Sequence, residues 1–301
     1  MLADAASAWP LLAPGSWPTL IAGTLVIALL SLGIHDLAIS HLGVPYPKED
    51  AVPVWAKYLG QGVRFAATVA LCRAASIYFL GRNAFVAAAI MGGLVAGLYE
   101  SLRVIGIEWV ILDGWRRLNW VYVLTDRAPA SILTFYQRAI ATFIARRWRS
   151  GWNAPVVIAI AATSAFGYFT LSPGLTIAMS RITSALGVAQ PVVLYWPPYD
   201  LHVYAYIYGL FIESAIFTVA LAAISWTGLG DRLSRCVSMF AFLLLLARGR
   251  PVALLAFSYW IPARLPVALA CEGQFFLETF VLASLSALLW ARVRAREVGV
   301  P

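Results

Sequence analysis

From Trp17 to Ile34 the chain runs for eighteen residues without a charged side chain. A helix of about 20 apolar residues matches the roughly 30 Å hydrocarbon core of a bilayer. The first such stretch covers residues 17–38. Six more follow at 58–80, 84–112, 154–171, 203–226, 252–270 and 272–290. Seven runs of this kind leave little choice of fold. Inside a bilayer every backbone N–H and C=O must be satisfied within the segment, so each run is expected to be a helix. Composition closes the soluble alternative. Of 301 residues, 61% are hydrophobic and 12% are charged, against a usual charged share of about 25%. The fold class expected is an all-α integral membrane protein. Its architecture is a bundle of about seven transmembrane helices with one basic amphipathic surface helix, and residues 1–301 form a single polytopic transmembrane domain.

The surface helix is read from residues 113–153, which hold seven arginines in forty residues. Ile132, Tyr136, Ile140, Phe143 and Ile144 recur at helical spacing, and Arg138, Thr142, Arg146 and Arg149 fall on the other side. Pro129 precedes the pattern and Gly151 follows it, where helices start and stop. A helix of this kind suits a membrane surface, with Arg138, Arg146 and Arg149 on anionic lipid head groups. The plainer reading is a cytoplasmic loop obeying the positive-inside rule, and the two are compatible.

Charge also sets the expected topology. The segment 113–153 and the tail with Arg292, Arg294 and Arg296 both belong in the cytoplasm. Three crossings precede the first and four separate the two, which puts the N-terminus outside and the C-terminus inside the inner membrane of a bacterium. Residues 1–17 carry no Lys or Arg, so no cleaved signal peptide is expected. The net charge of +8 lies between spans and at the tail, so it is assigned to topology and no nucleic-acid partner is expected. Ser172-Pro173-Gly174 is read as the end of a span, with 175–188 an interfacial piece. The aromatic cluster at 195–204 suits headgroup depth. In 236–270 the apolar run is broken by Arg248-Gly249-Arg250-Pro251. One kinked crossing is preferred there, and two short re-entrant arms are the alternative.

Ionisable groups inside spans cost at least ~2.5–3.5 kcal/mol each, so they face a partner or water. Glu100 and Arg103 are neighbours on one helix face. Arg64 and Arg73 need separate partners, for which Glu108 and Glu213 are the candidates. Gln274 and Glu278 share a face. One reading makes Glu100, Arg103, Glu213 and Glu278 the binding groups of a polar path. The other makes the same charges interhelical ion pairs. Gly93-x-x-x-Gly97 is a packing face, for a neighbouring helix or for a partner protein.

Known chemistries leave few marks. A retinal Schiff base needs a lysine in the last span, and the lysines are Lys48 and Lys57. Asp113-Gly114 before Arg116-Arg117 resembles the start of the CDP-alcohol phosphotransferase signature, without its later aspartates. Cys72, Cys236 and Cys271 form no CxxC and are read as small core residues. His35-Asp36 with His41 could meet at a metal but more simply end a span, so no metal and no cofactor is expected. Arg146-Arg147-Trp148 followed by Trp152-Asn153 resembles the Arg/Trp-rich segment of membrane-bound O-acyltransferases. That resemblance covers under ten residues. It implies a lipid-modifying acyltransferase with His202 as base and Asn153 beside it, although the residues around His202 do not follow the family pattern. The leading expectation is a non-enzymatic membrane component, either a permease-like transport protein or a subunit of a larger complex. Its partners would be the lipid bilayer with its anionic head groups, and membrane proteins or further copies of the chain. The acyltransferase is the alternative.

Overall fold

The computed structural model describes residues 14–99, 102–148, 153–195 and 199–297. The described residues are helical wherever they are regular. The helices are α1 (Trp17–Asp36), α2 (Val54–Ala75), α3 (Ala84–Tyr99), α4 (Leu102–Ile111), α5 (Asn119–Arg147), α6 (Ala154–Phe166), α7 (Ser172–Ala185), α8 (Leu201–Leu229), α9 (Leu233–Ala247), α10 (Arg250–Leu255) and α11 (Leu265–Glu297). Among the described residues four helices are long and apolar enough to cross a bilayer: Trp17–His41, Ala154–Ala185, Leu201–Leu229 and Leu265–Arg296. A fifth candidate is the pair Leu233–Ala247 and Arg250–Tyr259, bent by 65°.

Apolar side chains such as Phe65, Leu71, Phe211 and Phe240 fill the core, yet many others lie on the outside of the bundle. Leu25, Val26, Leu29, Leu30, Ile177, Phe242 and Leu288 are exposed. Ser31, Thr68, Ser164, Ser214, Thr218, Ser225, Thr279 and Ser286 are buried. Lipid is as apolar as leucine and gives no reason to hide leucine from it, whereas hydroxyls must find acceptors inside. Thr68, Thr218 and Ser225 donate back to the carbonyls one helical turn earlier. Gly228 lets α8 lie directly on the backbone of α2 at Ala74, where any side chain would collide.

The helices run between two ends. At one, Arg296 donates to Thr19 at 2.5 Å, Arg146 donates to the Arg82 carbonyl at 3.0 Å, and Arg294 lies beside Cys236. At the other, Leu194 N–H bonds the Ile111 carbonyl at 2.9 Å. The four or five candidate spans among the described residues are fewer than the seven crossings expected, and the remaining helices, α2 to α5, pack into the same bundle. The segment expected on the membrane surface is α5.

This helix does not lie apart on a surface. It packs along α3, with Phe135 against Gly92 and Phe143 against Phe85, and along α2. Its faces depart from the expectation at Arg138 and Thr142, which turn inward, and at Ile132, which turns outward, while Tyr136, Ile140, Phe143 and Ile144 are half-buried and Arg146 is exposed. Gln137, Arg138, Ala141, Thr142 and Ala145 are buried, and Ile132 and Phe135 are exposed. Thr142 donates to the Cys72 sulfur on α2 at 3.7 Å. A stripe of apolar residues opposite arginine fits an interfacial helix and a bundle helix equally, because in a bilayer the polar side turns inward. Pro129 lies inside α5, not before it. The start of α1 and the end of α11 come together, where Arg296 reaches Thr19.

The stop expected at Ser172-Pro173-Gly174 is absent. A π-helical turn, Gly167–Leu171, leads from α6 into α7 without a bend, so Ala154–Ala185 is one helix and 175–188 is no separate piece. The wider turn absorbs the proline, whose missing N–H would interrupt an ordinary ladder.

Candidate functional site

Between Ala247 and Arg250 the helical path breaks. Gly249 takes a left-handed φ of 68°, a conformation that costs residues with a Cβ about 1–2 kcal/mol. A Cβ there would also strike the Arg64 guanidinium, which comes across from α2. Pro251 sits in the first turn of α10, where its missing N–H costs nothing. Beyond the break Phe257 meets Gly60 and packs with Val52 and Ala56 at the start of α2. The chain therefore continues past Arg64 along α2 on the far side of the break.

The break opens onto a cavity of about 430 Å³. Six helices, the break and two loops bring residues to it. The end of α1 and its π turn give Leu32, His35, Asp36, Ile39 and Ser40. From α4 come Ile107, Glu108 and Ile111, and from α5 Arg127. Tyr204, Ile207, Tyr208 and Phe211 come from α8. Arg248 and Arg250 come from the break, and Phe275 and Glu278 from α11. Tyr46 and Tyr199 close it from the loops.

Its charges are arranged in two groups. Glu278, 4% exposed, has one carboxylate oxygen 3.7 Å from an Arg248 nitrogen and the other 4.0 Å from His35 Nδ1. His35 Nε2 is 2.8 Å from the Tyr46 hydroxyl. If Tyr46 donates, the imidazole proton lies on Nδ1 and faces Glu278. The Arg250 guanidinium lies over the Phe275 ring, 4.9 Å from its centre, and the same ring sits 4.8 Å from His35. In the second group Glu108 pairs with Arg127, which also lies 3.7 Å from Asp126. Asp36 accepts from Ser40 at 2.8 Å, and Ser40 shares a hydrogen bond with Tyr204. Burial, and after it the neighbouring Tyr204, hold the loop phenol of Tyr199 above its ordinary pKa, so it stays a neutral donor. The arrangement can bind a small solute with both polar and apolar parts, because carboxylates, guanidiniums and phenols alternate with an aliphatic wall.

Of the residues marked in the sequence, Glu278 is central to this cavity. Glu213 is half-buried on α8 and is not among its described lining residues. Arg103 stands in the first turn of α4, and Glu100 and Arg149 lie outside the described residues. Glu108, expected as a partner for Arg64 or Arg73, is held by Arg127. Arg64 lies at Gly249, and Arg73 is exposed. Arg146 is exposed and donates to the Arg82 carbonyl, and Arg138 is buried, which removes it from a surface role. Gly97 is filled by Phe217 of α8, whereas Gly93 faces open space.

The acyltransferase pair does not meet. Asn153 caps α6 by accepting from Val156 N–H at 3.2 Å. His202 is exposed at the opposite end of the bundle, edge-on to Tyr195. His35, Asp36 and His41 do not converge either, and no group of three metal-binding side chains occurs among the described residues. Arg127, Arg248, Arg250, Tyr204 and Tyr208 were not singled out as site residues from the sequence. The interruption of an apolar run by Arg-Gly-Arg-Pro was the one signal that pointed to them. No protein-family model, curated protein or solved structure matches the chain.

Proposed function

We propose that this chain is a permease-like membrane protein whose solute occupies the cavity at the α9–α10 break. The observation that carries this reading is a 430 Å³ space lined by Glu278, Arg248, Arg250, His35, Glu108 and Arg127 inside a bundle with an apolar exterior. Charges at such depth are costly, and a helix broken beside them frees polar backbone for a ligand or an ion. A purely structural ion-pair network gives no reason for an open volume among the pairs. The end that carries Arg82, Arg146, Arg235, Arg292, Arg294 and Arg296 is assigned to the cytoplasm by the positive-inside rule. Both the start of α1 and the end of α11 then face the cytoplasm of a bacterium, with the exposed arginines against anionic lipid.

Thiol accessibility tests this reading. With Cys72, Cys236 and Cys271 replaced by alanine, Ile39→Cys and Ile107→Cys place single thiols on the cavity wall. A charged, water-soluble thiol reagent is expected to label both, and a saturating solute to protect them. Failure to label either, while the exposed control Leu201→Cys reacts, would remove the cavity from contact with water and the permease with it.

The subunit reading has one observation of its own. No residue of α7 is buried, although the helix is long enough to cover a neighbour. Native mass spectrometry from the host membrane separates the two: stoichiometric protein partners make the chain a subunit, and a lone chain or homo-oligomer leaves the permease.

A further inference from the structure

The arginines around the cavity are not held alike, and this bears on the solute. The groups close enough to act on Arg250 are Arg64, Arg248, Glu272 and Glu278. With Arg250 itself that makes three guanidiniums against two carboxylates. Glu278 is already divided between Arg248 and His35. Arg250 rests on the face of Phe275, and its Nε is buried without a hydrogen-bond partner among the described residues. The third arginine of the cavity, beside Arg248 and Arg250, differs. Arg127 has Glu108 and Asp126 beside it, and Asp36 is met by the Ser40 hydroxyl. A cation over a ring, facing an open space, with a buried donor left over, is a receptor for an anion.

We propose that the solute carries an oxyanionic group, a phosphate or carboxylate, that docks on Arg250. This rests on the cavity being the solute site. A guanidinium presents paired donors that match two oxygens of such a group, and the bond is charge-assisted. Away from Arg250 the wall turns aliphatic at Leu32, Ile39, Ile107 and Ile207, so the cavity also has room for an apolar portion. The oxyanion could come from a free small anion or from the head of an amphiphile.

Four probes separate these ideas when titrated into the purified full chain in a neutral detergent: butyl phosphate, butylamine, butanol and inorganic phosphate. Butyl phosphate is expected to bind roughly tenfold or more tightly than butanol, with butylamine no better than butanol. Arg250→Gln should erase the advantage of the phosphate and leave butanol unchanged, and Arg250→Lys should keep part of it. Inorganic phosphate as tight as butyl phosphate identifies a free oxyanion. Much weaker inorganic phosphate identifies an amphiphile. Either supports docking on Arg250. Butyl phosphate no tighter than butanol, or an advantage that survives Arg250→Gln, overturns the anion. If none of the four binds, the cavity itself is not a solute site, and both readings fall together.

Discussion

Two places in the chain carry the same warning against a helix, and they fold differently. Gly167 through Gly174 includes Pro173 and two glycines, yet α6 runs into α7 without a bend. Arg248-Gly249-Arg250-Pro251 carries one glycine and one proline, and the path turns by 65°. Proline is in the first turn of the following helix in both. The difference lies in what arrives from elsewhere. At Gly174 nothing approaches, so the backbone closes over the proline with one wide turn. At Gly249 the Arg64 guanidinium fills the space a side chain would need, and Glu278 holds Arg248 from the far side. Proline and glycine permit a break, and the partner that occupies the gap makes one.

The comparison can be broken at the charge first. Glu278→Gln leaves Arg248 without its carboxylate and is expected to cost about 3–5 kcal/mol, read as a lower thermal unfolding midpoint in a fixed detergent. An unchanged midpoint would mean that the break does not depend on its ion pair. Gly249→Ala comes next, at about 2–3 kcal/mol from the left-handed φ together with the collision with Arg64. Adding Arg64→Ala to it should return about 1 kcal/mol, measured as a double-mutant coupling. Strict additivity would separate the guanidinium from the glycine. The smallest effect is expected in the continuous helix and has the opposite sign. Gly174→Ala should stabilise by about 0.5–1 kcal/mol, since the position is helical and open. A loss there would show that α6–α7 needs its glycine as much as the break does.

The sequence was most readable where hydropathy alone decides. Residues 84–112 became α3 and α4, and the long apolar runs near both ends became α1 and α11. The break in the helix was also foreseen, because Arg248-Gly-Arg-Pro interrupts a run too short to cross alone. What stayed hidden depended on which side of a helix faces the bundle. Arg138 and Thr142 have the same spacing whether they meet phosphate or Cys72. The cavity was hidden for a related reason. His35, Glu108, Arg127, Arg250 and Glu278 lie on five elements spread over most of the chain, and only their packing brings them to one space. Glu278 was marked for its depth in an apolar run, a signal that Glu213 shares without lining the cavity.

Thr19 meets Arg296 across 277 residues of sequence, and Leu289 fills the space over Gly23. The helix α1 therefore has its largest neighbour in α11, which leaves the ribosome long after it. Until α11 has been synthesised, α1 has a bare flank in the lipid, and the groups that α11 brings to the break, Phe275 and Glu278, are not yet there. Insertion can proceed in chain order, but closure of this bundle cannot.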